Sequence, residues 1–181
     1  MSKIIAAMID LETMDNRPTS AITAIGVVIF NKTEVIDRFY TPVNLSSSVA
    51  AGMTMSADTV KWWLNQSAEA RKIYDESGGA PLNLDTALRL LSSFIKEHKP
   101  AFIFGNGSDF DNVILRTAYE LSGETMPWAF WQNVCFRTMK TMFVLPEKPQ
   151  RDGVHHNALQ DAEYQVKWLQ KIIEHHQLNI L

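Results

Sequence analysis

Within its first 40 residues the chain commits to three consecutive β-strands. Residues 4–9 form a short apolar run that stops at Asp10. Residues 21–30 are rich in Ile and Val, and Asn31-Lys32 follows as a tight turn. Residues 34–40 then alternate, with Val35, Asp37 and Phe39 on one face and Ile36, Arg38 and Tyr40 on the other. Short connections make consecutive strands antiparallel neighbours. The remainder reads differently. Residues 44–54 are small and polar and read as a loop. Ser56 caps a helix through Leu64, and a second short helix spans residues 67–75 before a break at 77–81. Asn83 caps a longer helix whose stripe is Leu84, Ala87, Leu88, Leu91 and Ile95. A strand at 101–104, a Gly105-Asn106-Gly107 turn and a helix follow. That helix carries Val113, Ile114, Ala118 and Leu121 inward and ends at Gly123. A short strand at 134–136, a helix capped by Thr138 and a loop at 144–154 lead to a last helix at 157–177. Its inner face is Ala158, Ala162, Val166, Leu169 and Ile173. Strands first, then strand and helix in alternation, predict an α/β domain with a mixed sheet.

With 181 residues, 46% hydrophobic, the chain can bury a core of its own, and no linker divides it, so one domain over 1–181 is expected. That composition excludes a disordered chain. A formal charge of −3 excludes a protein that holds nucleic acid by bulk positive charge. Cys135 is the only cysteine, so neither an intrachain disulfide nor a Cys-rich zinc site is available. The N-terminal apolar run is too short for a signal-peptide core, and residues 21–30 are half the length of a membrane span. A cytoplasmic protein without membrane contact is the expectation.

Three acidic patterns carry the chemistry. In Asp10-Leu11-Glu12, at the end of the first strand, residues i and i+2 share a face, so both carboxylates project together. Paired carboxylates repel, and a hard divalent cation relieves that repulsion. Alone the triplet is weak, since Asp161-Ala162-Glu163 repeats it on a helix. Asp111 follows a strand and a glycine turn at the start of a helix, the edge where α/β sheets place their sites. An Asp at 109 or 111 is also an ordinary helix cap. His156 precedes the last helix, five residues before Asp161. The positive end of the helix dipole disfavours an imidazolium, leaving a neutral base. A polar loop residue is the plain alternative for this His.

Taken in order, Asp10-x-Glu12, then Asn106-Gly-Ser-Asp-Phe-Asp111, then His156-x4-Asp161 resemble the DEDD (DnaQ-like) superfamily of 3′→5′ exonucleases, in its histidine-bearing subclass. Thr59-Val-Lys-Trp-Trp63 and the stretch 105–116 are similar to the branch containing phage exonuclease A and the mycobacterial adenylate-specific exoribonuclease. The resemblance implies a ribonuclease H-like fold, a mixed five-stranded sheet of order 3-2-1-4-5 with strand 2 antiparallel, flanked by helices. It implies that Asp10, Glu12, Asp111 and Asp161 hold two Mg²⁺ or Mn²⁺ ions, Asp10 bridging them and Asp111 reaching one directly or through water. His156 becomes the general base for the attacking water, and 5′-nucleotides are released from single-stranded 3′ ends. Asp109 competes with Asp111, and His155 with His156; motif spacing favours Asp111 and His156. The second motif leans toward DNA. An exoribonuclease of the same fold and a non-cleaving 3′-end-binding module are the alternatives, and the resemblance also allows a homodimer.

Substrate contacts are less constrained. Trp62 and Trp63 lie about 100° apart on a helix, so one can offer its ring to a terminal base. Packing of both is the alternative. The resemblance points to Thr13 and Met14, just after the Glu, as lining of the terminal-nucleotide pocket. Arg137 is a candidate for a phosphate or base contact, or for a surface ion pair. Lys148 and Arg151 lie on the loop that delivers His156. Setting the four proposed ligands aside leaves 17 basic against 16 acidic residues. The negative charge is therefore that of one site.

Overall fold

A computed structural model describes residues 4–74, 80–151, 153 and 155–181. Strands β1 (Ala6–Thr13), β2 (Ile22–Phe30) and β3 (Val35–Pro42) form an antiparallel meander. Strands β4 (Phe102–Gly105) and β5 (Asn133–Cys135) run parallel to β1. The sheet order is β3-β2-β1-β4-β5, so β2 alone opposes the others, as the resemblance implies.

The alternation of β1 divides the core. Ala7, Ile9 and Leu11 face a layer that includes the long helix α4 (Leu84–His98) and α5 (Asp111–Leu121). Ala6 and Met8 face the last helix, α7 (Ala158–His175), whose Ala162, Val166, Leu169 and Ile173 are fully buried. Burial of each of those Val, Leu and Ile side chains contributes roughly 1.5–3 kcal/mol. Asp10 and Glu12 continue the Ala6–Met8 face. The acids are thus aimed at α7 by the same pleat that packs the sheet against it.

Gly26 allows the close approach. It pairs with Asp10 across β1 and β2, and a Cβ there would lie 2.3 Å from the Ala158 carbonyl carbon. A side chain on β2 would push away the first turn of α7, which carries Asp161. Gly26→Ala is expected to cost about 1–3 kcal/mol, a fall of roughly 2–4 °C in Tm per kcal/mol, and to cut hydrolysis as well. Unchanged melting and activity would show that α7 does not rest on Gly26.

Four elements depart from expectation. β1 runs over Ala6–Thr13 rather than residues 4–9, so Asp10 and Glu12 lie within the strand rather than at its end. The segment 44–54 contains a helix, α1 (Leu45–Ala50). Its serines are poor helix formers, but the Asn44 side chain accepts the Ser47 N–H, and buried Ser48 donates to the Ile22 carbonyl at 2.8 Å. Helix α6 (Phe136–Met142) starts two residues before Thr138, capped by Cys135, because Phe136 is locked in the core. On α5 the buried stripe is Ile114, Leu115, Ala118 and Tyr119, while Leu121 is exposed. The expected helices after Ser56 and Ser67 are α2 (Ala57–Leu64) and α3 (Ala68–Arg71), the latter continued by a 3₁₀ turn at Lys72–Tyr74. Residue 75 and most of the break at 77–81 lie outside the described residues.

Candidate active site

Glu12 is buried, and Asp10 and Asp161 are half-buried at the floor of one cleft of about 430 Å³. One carboxylate oxygen from each of Asp10, Glu12 and Asp161 lies within 4.8 Å of the others. β1 supplies the first two, and the first turn of α7 supplies the third. Asp111, at the start of α5, is buried beside them. Its Oδ1 accepts the Leu11 N–H at 3.2 Å and its Oδ2 accepts the Asn106 N–H at 2.7 Å. Phe110, not an Asp, occupies the helix cap position, and Asp109 is exposed on a neighbouring groove.

The cluster is electrostatically loaded. Burial pushes the Asp10 carboxyl well above the usual carboxylate range, helped by Asp111 and Glu12, while Gln165 and Arg151 oppose the rise. Burial raises Glu12 to about 8, with Asp111 adding to it and Arg151 opposing. Burial also raises Asp111, to about 6, because the N–H groups of Asn106 and Leu11 offset part of the effect. Such a site fits hard cations with oxygen preference. Among the described residues Glu12 Oε1 is buried with no hydrogen-bond partner, as expected of a ligand atom.

His156 lies on the wall of the same cleft, whereas His155 is exposed. His156 adopts a left-handed backbone conformation (φ 62°), and its N–H donates to Asp161 Oδ2 at 3.2 Å. Its ring sits edge-on to Trp62, with centroids 4.7 Å apart. Burial, then His155 and Arg151, hold it below its ordinary value, so it is neutral near pH 7. The direction is the one expected from its place before α7, but desolvation is the largest cause.

The substrate-contact candidates separate. Thr13, Trp62 and Trp63 line the cleft. Trp63 is buried, and its Nε1 donates to the Thr13 carbonyl at 2.9 Å, tying α2 to the end of β1. Trp62 stays 44% exposed, which leaves its ring available. Met14 is buried in the core, does not line the cleft, and receives the Tyr74 hydroxyl on its sulfur. Arg137 is on the adjoining groove and donates to the Asn106 carbonyl at 2.7 Å, bracing the turn that holds Asp111.

Sequence reasoning did not single out Gln165, whose Nε2 donates to Asp10 Oδ1 at 2.6 Å. Its signal was available, since it lies one helical turn beyond Asp161. Arg151 was placed only on the loop. Its guanidinium pairs with the Asp161 carboxylate and lies over the Tyr164 ring.

A family model described as the 3′-5′ exoribonuclease Rv2179c-like domain matches residues 6–173. The chain belongs to this family. It is a 3′→5′ exonuclease by that membership. No curated protein sequence matches it. Among solved structures it is similar to E. coli exonuclease I in complex with a 5cy-dT13 oligonucleotide, with a TM-score of 0.66 at 14% identity over 97% of this chain and 42% of that one. Cell-death related nuclease 4 gives 0.59 at 13% identity, over 94% and 64%. A full-length 3′-exonuclease gives 0.54 at 14%, over 97% and 84%. These likenesses concern the fold. Among the described residues no helix is long and apolar enough to cross a membrane.

Proposed function

We propose that this exonuclease cleaves single-stranded RNA from its 3′ end, with Asp10, Glu12, Asp111 and Asp161 holding two divalent cations and His156 acting as general base. The observation that carries the reading is the convergence of three carboxylates and a neutral imidazole in one cleft. The family description favours RNA over the DNA toward which the second motif leans. Mg²⁺ or Mn²⁺ bound there would neutralise the scissile phosphate and the leaving oxygen.

The chain's own groups do the rest. His156 takes a proton from the water whose oxygen attacks phosphorus as the P–O3′ bond breaks. The edge-on ring of Trp62 and the N–H bond to Asp161 fix the imidazole's orientation. Gln165 holds Asp10, and the Leu11 and Asn106 N–H groups hold Asp111, so the acids keep their positions. Trp62 offers its exposed face to the terminal base.

The test incubates matched, 5′-labelled single-stranded RNA and DNA with Mg²⁺ or Mn²⁺. A ladder shortening from the 3′ end, faster on RNA, is expected. Faster loss of DNA would reverse the substrate assignment. Retention of 3′ ends without cleavage would remove the catalytic one. His156→Ala is expected to slow the ladder by about 10²–10⁴-fold, whereas His155→Ala leaves it within about threefold.

A further inference from the structure

The cleft has a second end, beyond the acids, that the reaction leaves unused. On α7, Asp161, Tyr164, Gln165 and Trp168 follow one another along the face that lines it. Trp168 lies seven residues past Asp161, or about 10 Å along the axis. Its ring is half-buried against Phe136 of α6, with centroids 6.1 Å apart. Two ammonium groups stand over it: Lys140 Nζ at 5.4 Å and Lys148 Nζ at 6.0 Å from the ring centroid. Among the described residues neither lysine has an acidic partner. Burial and the neighbouring charges of Arg137 and Lys148 hold Lys140 below its ordinary value, so an approaching anion would relieve local crowding.

A flat ring flanked by unpaired cations, continuous with an exonuclease centre, has the chemistry of a single strand: bases to stack and phosphates to neutralise. We propose that Lys140, Lys148 and Trp168 form a strand-holding subsite for the backbone of a single-stranded nucleic acid, upstream of the bond being cut and beyond the reach of a dinucleotide. The terminal nucleotide then lies toward Trp62, and the strand leaves across α7 over Trp168. This rests on the exonuclease reading of the same cleft. It gives a chain with net negative charge two ammonium groups over one ring, beside the cleft, with which to grip a polyanion.

The test compares the Lys140→Gln/Lys148→Gln double variant with the unaltered protein. Binding of a 5′-fluorescein-labelled ten-nucleotide RNA is followed by anisotropy in EDTA across a salt series, and a dinucleotide is measured by competition. Affinity for the ten-mer is expected to fall about tenfold, with the salt slope shallower by about 1.4, since each phosphate left without its lysine removes about 0.7. Dinucleotide affinity stays within about twofold, because it does not reach the subsite. Trp168→Leu keeps apolar packing against Phe136 and is expected to weaken the ten-mer alone, by several-fold. Unchanged ten-mer affinity, or equal losses for both lengths, would overturn the proposal. Unaltered protein that shows this length-dependent grip yet releases no nucleotide with Mg²⁺ or Mn²⁺ would instead remove the catalytic reading and leave the subsite standing.

Discussion

Asp10→Asn is expected to abolish hydrolysis and, in the absence of metal, to make the protein more stable. The two effects have one cause. Asp10 sits among Glu12, Asp111 and Asp161 with burial as the dominant force on its proton, and its carboxyl is held well above the carboxylate range. A raised folded-state value means that the group's stability is full below its unfolded value of 3.8 and is lost as pH climbs toward the folded value. Asparagine does not titrate, so it escapes that loss. Its side-chain oxygen still accepts the Gln165 amide, which bonds Asp10 Oδ1 at 2.6 Å. The gain should be absent at pH 3.5 and present at pH 7, read as a higher Tm for the variant at the higher pH alone. Activity should fall by at least about 10²–10³-fold, the scale set by losing one preorganised electrostatic group. Thermal melts in EDTA at the two pH values, beside nucleotide release in Mn²⁺, check both halves. A variant that melts lower than the native chain at pH 7, or retains a tenth of its activity, would show that Asp10 is not at the centre of the repulsion.

Such a site was legible in the sequence wherever spacing and element type act together. Asp10 and Glu12 on one strand face, and Asp161 in the first turn of a helix, follow from periods of 2 and 3.6. Sheet order came from the family resemblance, because periodicity cannot say which strands pair. What escaped reading is what depends on three-dimensional fit. The α1 helix has a serine-rich sequence with little helix preference, and the Ser48 hydroxyl on the Ile22 carbonyl helps to make it a helix. Gly26 looks like an interruption of an apolar strand, yet Ala158 rests where its side chain would be. Met14 and Trp62 both sit near motif residues in sequence, but one is buried in the core and the other lines the cleft, half exposed. Arg151 enters the acid cluster from a loop with no period at all, so only the folded chain reveals its pairing with Asp161.

The same acids make the stability of the metal-free protein depend on pH in an unusual direction. Glu12 rises from 4.5 to about 8 and Asp111 from 3.8 to about 6, both chiefly through burial. Each binds protons more tightly when folded, so each stabilises the fold below its unfolded value and loses that contribution as pH rises. The window is about pH 4 to 6 for Asp111 and about 4.5 to 8 for Glu12. Salt-bridged carboxylates act oppositely, which is why the sign is diagnostic. Because Asp111 is one of the groups that raise Glu12, the two give up their protons as a pair, and the loss runs across both windows. In EDTA, Tm should therefore fall steadily from pH 5 to pH 8.5. Mn²⁺ should reverse the trend, because cations bind the deprotonated acids and stabilise the folded state by mass action. Its stabilising increment must then grow with pH, and titration calorimetry near pH 7 in buffers of different ionisation enthalpy must record proton release on binding. Glu12→Gln should flatten the EDTA curve between pH 6 and 8.5 more than Asp111→Asn, since its window extends higher. A flat native curve in EDTA would mean that the carboxylates are not crowded as the geometry has them. A rising curve would mean that their charges are already satisfied within the chain by Arg151 and its neighbours, leaving metal little repulsion to relieve.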